Sequence, residues 1–182
     1  MGTQLIFVLE TDRRCQSDWM YINDLIHEQY DYNHSYIKLS PIFLGGRGNY
    51  NKKKVERDID KRKSDYDNQN SSNQSITIYC FDTDNFDSNP DDKKFLDDVK
   101  QYCDNKKAEL VWFCKDIEEV FTGSSIENSK KKDTARLFVK RKLIKNVLPD
   151  SFTASSFKRK TSNILRVLDK FLPRKSSIKG KG

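Results

Sequence analysis

The chain has 182 residues, of which 35% are hydrophobic, 12% aromatic and 34% charged; that is about one domain of length, with enough Phe and Tyr for a core, which argues against disorder. Four scattered cysteines without a CxxC pair (Cys15, Cys80, Cys103, Cys114) argue against a zinc ribbon or a disulfide framework and for reduced thiols in the cytoplasm. The net charge of +7 is uneven, with +13 on residues 123–182 and −6 on residues 1–122, which suits either a polyanionic partner or a solvated basic face.

Gln4–Leu9 is a short apolar run that reads as a buried strand. It lacks the basic flank of a signal peptide, and no run approaches the ~18 apolar residues of a membrane span, so no membrane partner is expected. Ser17 can cap a helix running to about Tyr30, with Trp19, Ile22, Leu25 and Ile26 inward. Tyr36–Leu44 is a second extended segment that Pro41 places near an edge. A glycine turn, Gly45-Gly46-Arg47-Gly48-Asn49, precedes a charged helix from Lys52 to Tyr66 and a polar loop. Ser75–Phe81 is the strongest strand, rich in β-branched and aromatic residues. Pro90 opens a helix carrying Phe95, Leu96, Val99, Tyr102 and Cys103, Glu109–Phe113 is a fourth strand, and Asp116–Phe121 a short helix.

This alternation predicts an α/β fold for residues 1–122, a Rossmann-like, mostly parallel four-stranded sheet with helices on both faces, the first strand central and the third beside it. Residues 123–172 read as a basic helical extension packed on that domain, with helices at Thr134–Leu148 and Thr161–Leu172. Residues 173–182 read as a disordered basic tail.

Carboxylates gather where the strands end, the place where open α/β sheets bind ligands. Glu10 follows the first strand, Asp82 and Asp84 the third, Asp116 and Glu118 the fourth. Acids brought together repel and need a proton or a cation, and Mg²⁺ or Mn²⁺ suits an all-oxygen donor set. The rival reading is that Asp and Asn merely end strands and begin turns. Haloacid dehalogenase-type phosphatases carry DxD on the first strand, and receiver domains need a fifth strand and helix; neither pattern fits.

A lone Glu after the first strand (Glu10 in LIFVLETD) and DxD after the third (Asp82 and Asp84 in IYCFDTDN) resemble the TOPRIM domain over roughly Gln4 to Phe121. The length, the glycine turn and the acidic helix after the fourth strand are similar to the RloB/AbiLii-like branch, bacterial proteins linked to restriction and phage-resistance loci. The resemblance implies Glu10, Asp82 and Asp84 as catalytic residues, Glu10 as general acid/base, and Glu10, Asp82, Asp84, Asp116 and Glu118 as Mg²⁺ ligands. The chain departs from the family's Glu-Gly with Glu10-Thr11.

Arg47 in the glycine turn is a candidate phosphate contact. Three basic clusters, Lys130-Lys131-Lys132, Lys140-Arg141-Lys142 and Lys158-Arg159-Lys160, have the look of a nucleic-acid backbone site. His27 and His34, seven apart, read as a surface pair and not a zinc site. The leading expectation is Mg²⁺-dependent phosphodiester cleavage of DNA or RNA in a bacterial phage-defence setting. The alternatives are a non-catalytic nucleic-acid-binding subunit and a subunit that senses nucleotides or binds a protein partner of a defence system. A homo-oligomer is left open.

Overall fold

Four strands, β1 (Thr3–Leu9), β2 (Ile37–Phe43), β3 (Gln74–Asp82) and β4 (Glu109–Phe113), form one sheet in the order β2-β1-β3-β4, and every pairing is parallel. The parallel direction, the central β1 and β3 beside it are as expected from sequence; the place of β4 next to β3 comes from the structure. The coordinates are a computed structural model that describes residues 2–176. Leu9 stands opposite Phe43 on one side and Cys80 on the other, and Asp82 opposite Phe113, so the strands finish along one edge.

β1 is apolar on both faces because both are covered. Leu5, Phe7 and Leu9 join a core with α1 (Ser17–Gln29) and α4 (Ile117–Thr122). Ile6 and Val8 face a second core under α2 (Lys53–Asp67) and α3 (Pro90–Lys106), closed by Tyr79, Phe81, Val99 and Cys103. Pro41 lies in β2, an edge strand, where its missing N–H leaves the sheet intact. Gln16, in the left-handed region, precedes α1, so Ser17 is the first helical residue and not the cap. No described helix is long and apolar enough to cross a membrane.

The extension differs most from the sequence reading. In place of a helix over Thr134–Leu148, α5 spans Lys131–Lys140, followed by 3₁₀ turns at Leu143–Asn146 and Pro149–Phe152. Lys142 sits at φ 54, which stops the helix, and Pro149 cannot continue one. In place of a helix over Thr161–Leu172, α6 covers only Ile164–Leu168. Residues 161–163 instead run along the free edge of β4: Cys114 N–H donates to the Thr161 carbonyl (2.9 Å), Ser162 Oγ to the Trp112 carbonyl (2.6 Å) and Trp112 N–H to Asn163 Oδ1 (2.9 Å). An edge strand's unpaired groups invite such cover.

Phe138, Ile144, Phe152, Ile164, Leu165 and Leu168 from the extension share the core of Tyr21, Phe113 and Phe121. The first part of the expected disordered tail is held in place. Asp31 N–H donates to the Pro173 carbonyl (3.1 Å), Lys175 N–H to the Gln29 carbonyl (2.9 Å), and Arg174 pairs with Asp169 (2.5 Å) above the Tyr30 ring. The rest of that stretch, residues 177–182, lies outside the described residues.

Candidate active site

The rim at the carboxyl ends of the strands is built by backbone extensions of the sheet. After β2 the chain turns at Gly45 and Gly46, whose φ values of +66 and +127 strain any other residue. Their N–H groups donate to the carbonyls of Thr11 (3.2 Å) and Glu10 (2.9 Å), which fixes the glycine turn beside the end of β1. The turn sends Arg47 to Asp84, to which it is hydrogen-bonded, and to Asp92 (2.7 Å), with its guanidinium 4.7 Å from the Phe95 ring centre.

The DxD segment is braced from β4. Thr83 N–H donates to the Phe113 carbonyl (2.9 Å), Asp84 N–H to the Lys115 carbonyl (2.8 Å), and Lys115 N–H to Thr83 Oγ1 (2.8 Å). Asp84 takes φ 47, a conformation Asp tolerates better than most side chains. That departure from strand geometry is the break which lets i and i+2 carboxylates serve one rim. Asp82 Oδ1 accepts from Ile117 N–H (2.9 Å) at the start of α4.

Five acids meet here with a shared electrostatic signature. Burial, then the charges of Asp84 and Asp18, push Glu10 up to about 7. Burial, followed by Glu10, Asp18 and Glu118, raises Asp82 well above the carboxylate range. Asp18, Asp84 and Glu118 are also raised, each first by burial. Arg47 works against the rise at Asp84, and Lys131 against it at Asp18 and Glu118. Glu118 is 0% exposed, and its Oε1 and Glu10 Oε2 are buried without a hydrogen-bond partner. Such groups are costly unless protonated or met by a cation.

Sequence reading gathers Glu10, Asp82, Asp84, Asp116 and Glu118 on this rim, and the structure places Glu10, Asp82, Asp84 and Glu118 there. Asp116 instead caps α4, accepting from Glu119 N–H (2.6 Å) and from Ser125 Oγ. Asp18 and Asp92 were missed. Asp18 sits in the first turn of α1 and accepts from Thr11 N–H (3.2 Å). Helices that follow parallel strands start on the carboxyl rim, so an acid in a first turn was a readable signal.

The basic candidates separate into two groups. Arg47 is engaged by carboxylates, Lys131 pairs with Glu118 (3.0 Å), Lys130 with Glu127 (2.9 Å) and Arg159 with Glu119 (2.5 Å), and Lys132 donates to the Arg14 carbonyl. Lys140, Arg141, Lys142, Lys158 and Lys160 are exposed and form no ion pair among the described residues. His27 and His34 lie with ring centres 6.3 Å apart at the surface.

Hard carboxylate oxygens suit Mg²⁺ or Mn²⁺, and the unpartnered oxygens of Glu10 and Glu118 are what a cation would relieve. Among the described residues, however, no three His, Cys, Asp or Glu side chains are arranged to hold one ion, so the five acids do not form one cage. The donor set fits the sparser Mg²⁺ mode, one or two carboxylates completed by water and substrate phosphate. No protein-family model, curated protein or solved structure matches the chain.

Proposed function

We propose that the protein is a divalent-metal-dependent phosphodiesterase acting on nucleic acid. The observation that carries this is the crowding of Glu10, Asp18, Asp82, Asp84 and Glu118 at one rim of a parallel sheet, with Arg47 and Lys131 as the cations set against them. Glu10, Asp82 and Asp84 would hold Mg²⁺ or Mn²⁺, no more than two of them at once in this side-chain arrangement. Bound there, the ion would polarise a phosphoryl oxygen and make its water acidic.

The chain's own residues supply the rest. Glu10, pushed up to about 7, is suited to take and return a proton near neutral pH. Arg47 orients Asp84 and Asp92, and Ile117 N–H orients Asp82. The exposed Lys140, Arg141 and Lys142 offer charges to a phosphate backbone. The TOPRIM-like character of the fold and the bacterial phage-defence setting belong to this proposal and rest on the resemblance at Glu10, Asp82 and Asp84.

The test is cleavage of labelled DNA and RNA oligonucleotides with Mg²⁺, Mn²⁺ or EDTA, for the wild type and Asp82→Asn. Metal-dependent cleavage lost in the variant supports the proposal; no cleavage of any substrate with either metal overturns it. The second reading, a subunit that binds nucleic acid or a nucleotide without cutting, is favoured by the lack of a three-carboxylate metal group among the described residues.

A further inference from the structure

Beside the acid rim, a cleft of about 400 Å³ opens between the DxD loop, the end of β4 and the segment that approaches β4 from the extension. Its aromatic wall is Phe86 and Phe157, whose ring centres are 4.7 Å apart and nearly edge to face. Phe157 packs edge-on against Trp112 (4.8 Å) yet stays 41% exposed. Lys115 and Arg159 line the same cleft, and both reach the buried Glu119, Arg159 at 2.5 Å and Lys115 at 3.7 Å. Two acids, Asp84 and Asp87, line the cleft as well, and Asp84 belongs to the acid rim too.

Phe157 covers the buried Trp112 and touches Phe86, yet the residue stays 41% exposed, more than packing against the core requires. A partly exposed aromatic side chain beside cations is a pattern that single-stranded nucleic acid recognises: a base stacks on the ring and its phosphate meets the charges. Lys115 and Arg159, though both paired with Glu119, keep their side chains 45% and 74% exposed. A paired base offers no free face, so duplex gains nothing from this arrangement. The antiparallel docking of residues 161–163 on β4 keeps Phe157 and Arg159 beside the DxD loop.

We infer that the cleft between Phe86, Phe157, Lys115 and Arg159 is a subsite for one unpaired nucleotide, so that the protein's substrate is single-stranded nucleic acid. The inference builds on the nucleic-acid reading of the neighbouring rim, and its test uses binding, which does not depend on cleavage.

The experiment is fluorescence anisotropy of the full chain in EDTA with a short labelled oligonucleotide, as DNA and as RNA, single-stranded and annealed to its complement. Single strands should bind more tightly than duplex. Phe157→Ala should weaken single-strand binding roughly 5- to 150-fold, the worth of one base–aromatic stack, and leave duplex binding unchanged. Phe157→Trp, which keeps an aromatic face, should restore it and serves as the check that the fold is intact. Equal affinity for single strand and duplex in the wild type, or unchanged single-strand binding by Phe157→Ala, overturns the inference. If the rim cuts nothing while Phe157→Ala still loses single-strand binding, the phosphodiesterase reading falls and the subsite stands. If the rim cuts and Phe157→Ala binds normally, the subsite falls alone.

Discussion

Lys131 Nζ lies 3.0 Å from Glu118 Oε2, joining the first residue of α5 to a carboxylate that is fully buried at the start of α4. The basic extension is thereby part of the acid rim, since its ammonium is the counter-ion of a carboxylate on the sheet domain. Lys131 is held charged by the same acids it compensates, Glu118 first and then Asp82 and Asp18, against the effect of its own burial.

Removing that ammonium leaves Glu118 buried and unpaired. Lys131→Met should cost about 3 kcal/mol of folding stability at neutral pH, the low end for breaking a buried pair because Lys131 keeps some solvent contact. Adding Glu118→Gln to it should recover most of the loss. Urea unfolding of the single and double variants measures both, and a double variant no more stable than Lys131→Met would assign the loss to packing of the lysine stem.

The acid rim makes stability depend on pH with a defined sign. Glu10 rises from an ordinary 4.5 to about 7 in the folded protein. Between those values the folded state keeps a proton that the unfolded chain has released, so its stabilising contribution is full below 4.5 and is lost as pH climbs through 7. Asp18, Asp82, Asp84 and Glu118 shift in the same direction. The metal-free protein should therefore melt at a lower temperature at about pH 8 than at about pH 5.5, provided the global acid transition lies lower. Mg²⁺ or Mn²⁺ should raise Tm at the higher pH and do little at the lower. A Tm that rises with pH in EDTA contradicts this.

Glu10→Gln separates chemistry from stability. It removes a proton-transfer group, so cleavage should fall roughly 10²–10⁴-fold. It also removes a charge crowded by Asp84 and Asp18, so Tm near pH 8 should rise. Cleavage rates and thermal melts on one preparation check the pair of outcomes, and wild-type rate in the variant would take Glu10 out of the mechanism.

The sheet was legible because its signals are local. Leu5–Leu9 is unbroken because β1 is covered on both faces, and Pro41 marks β2 as an edge. Glu10, Asp82 and Asp84 were legible because strand ends in a parallel sheet share one rim. The extension was not, because its form depends on distant partners. Residues 161–163 alternate no apolar side chains, yet they pair along β4 because its edge needs donors and acceptors. Lys131 looks in sequence like one more exposed lysine among three. Only the packing of α5 on α1 and α4 buries its stem and turns its charge inward. Asp116 follows the same rule in reverse: an acid at a strand end with the right spacing is taken up in capping α4.

The exposed basic residues carry the last prediction. Lys140 stands nine residues along α5 from Lys131, roughly 13 Å at the rise of an α-helix, so Lys140, Arg141 and Lys142 form a charged face removed from the acids. They are exposed and form no ion pair among the described residues, so their charges are open to phosphates of a bound strand. Each neutralised phosphate adds a slope of about −0.9 in log K against log salt for duplex DNA, or about −0.7 for a single strand. Reversing all three to Glu should make the slope shallower by roughly 2 to 3 and weaken binding without sequence preference. The preference for single strands set by Phe157 should survive, because stacking carries little salt dependence beside counterion release. Anisotropy titrations over a salt series for the wild type and the triple variant measure the slope. A variant with the wild-type slope would show that nucleic acid does not touch this end of α5. A wild type that binds neither DNA nor RNA at low salt would make the face a solvated surface or a protein-docking one.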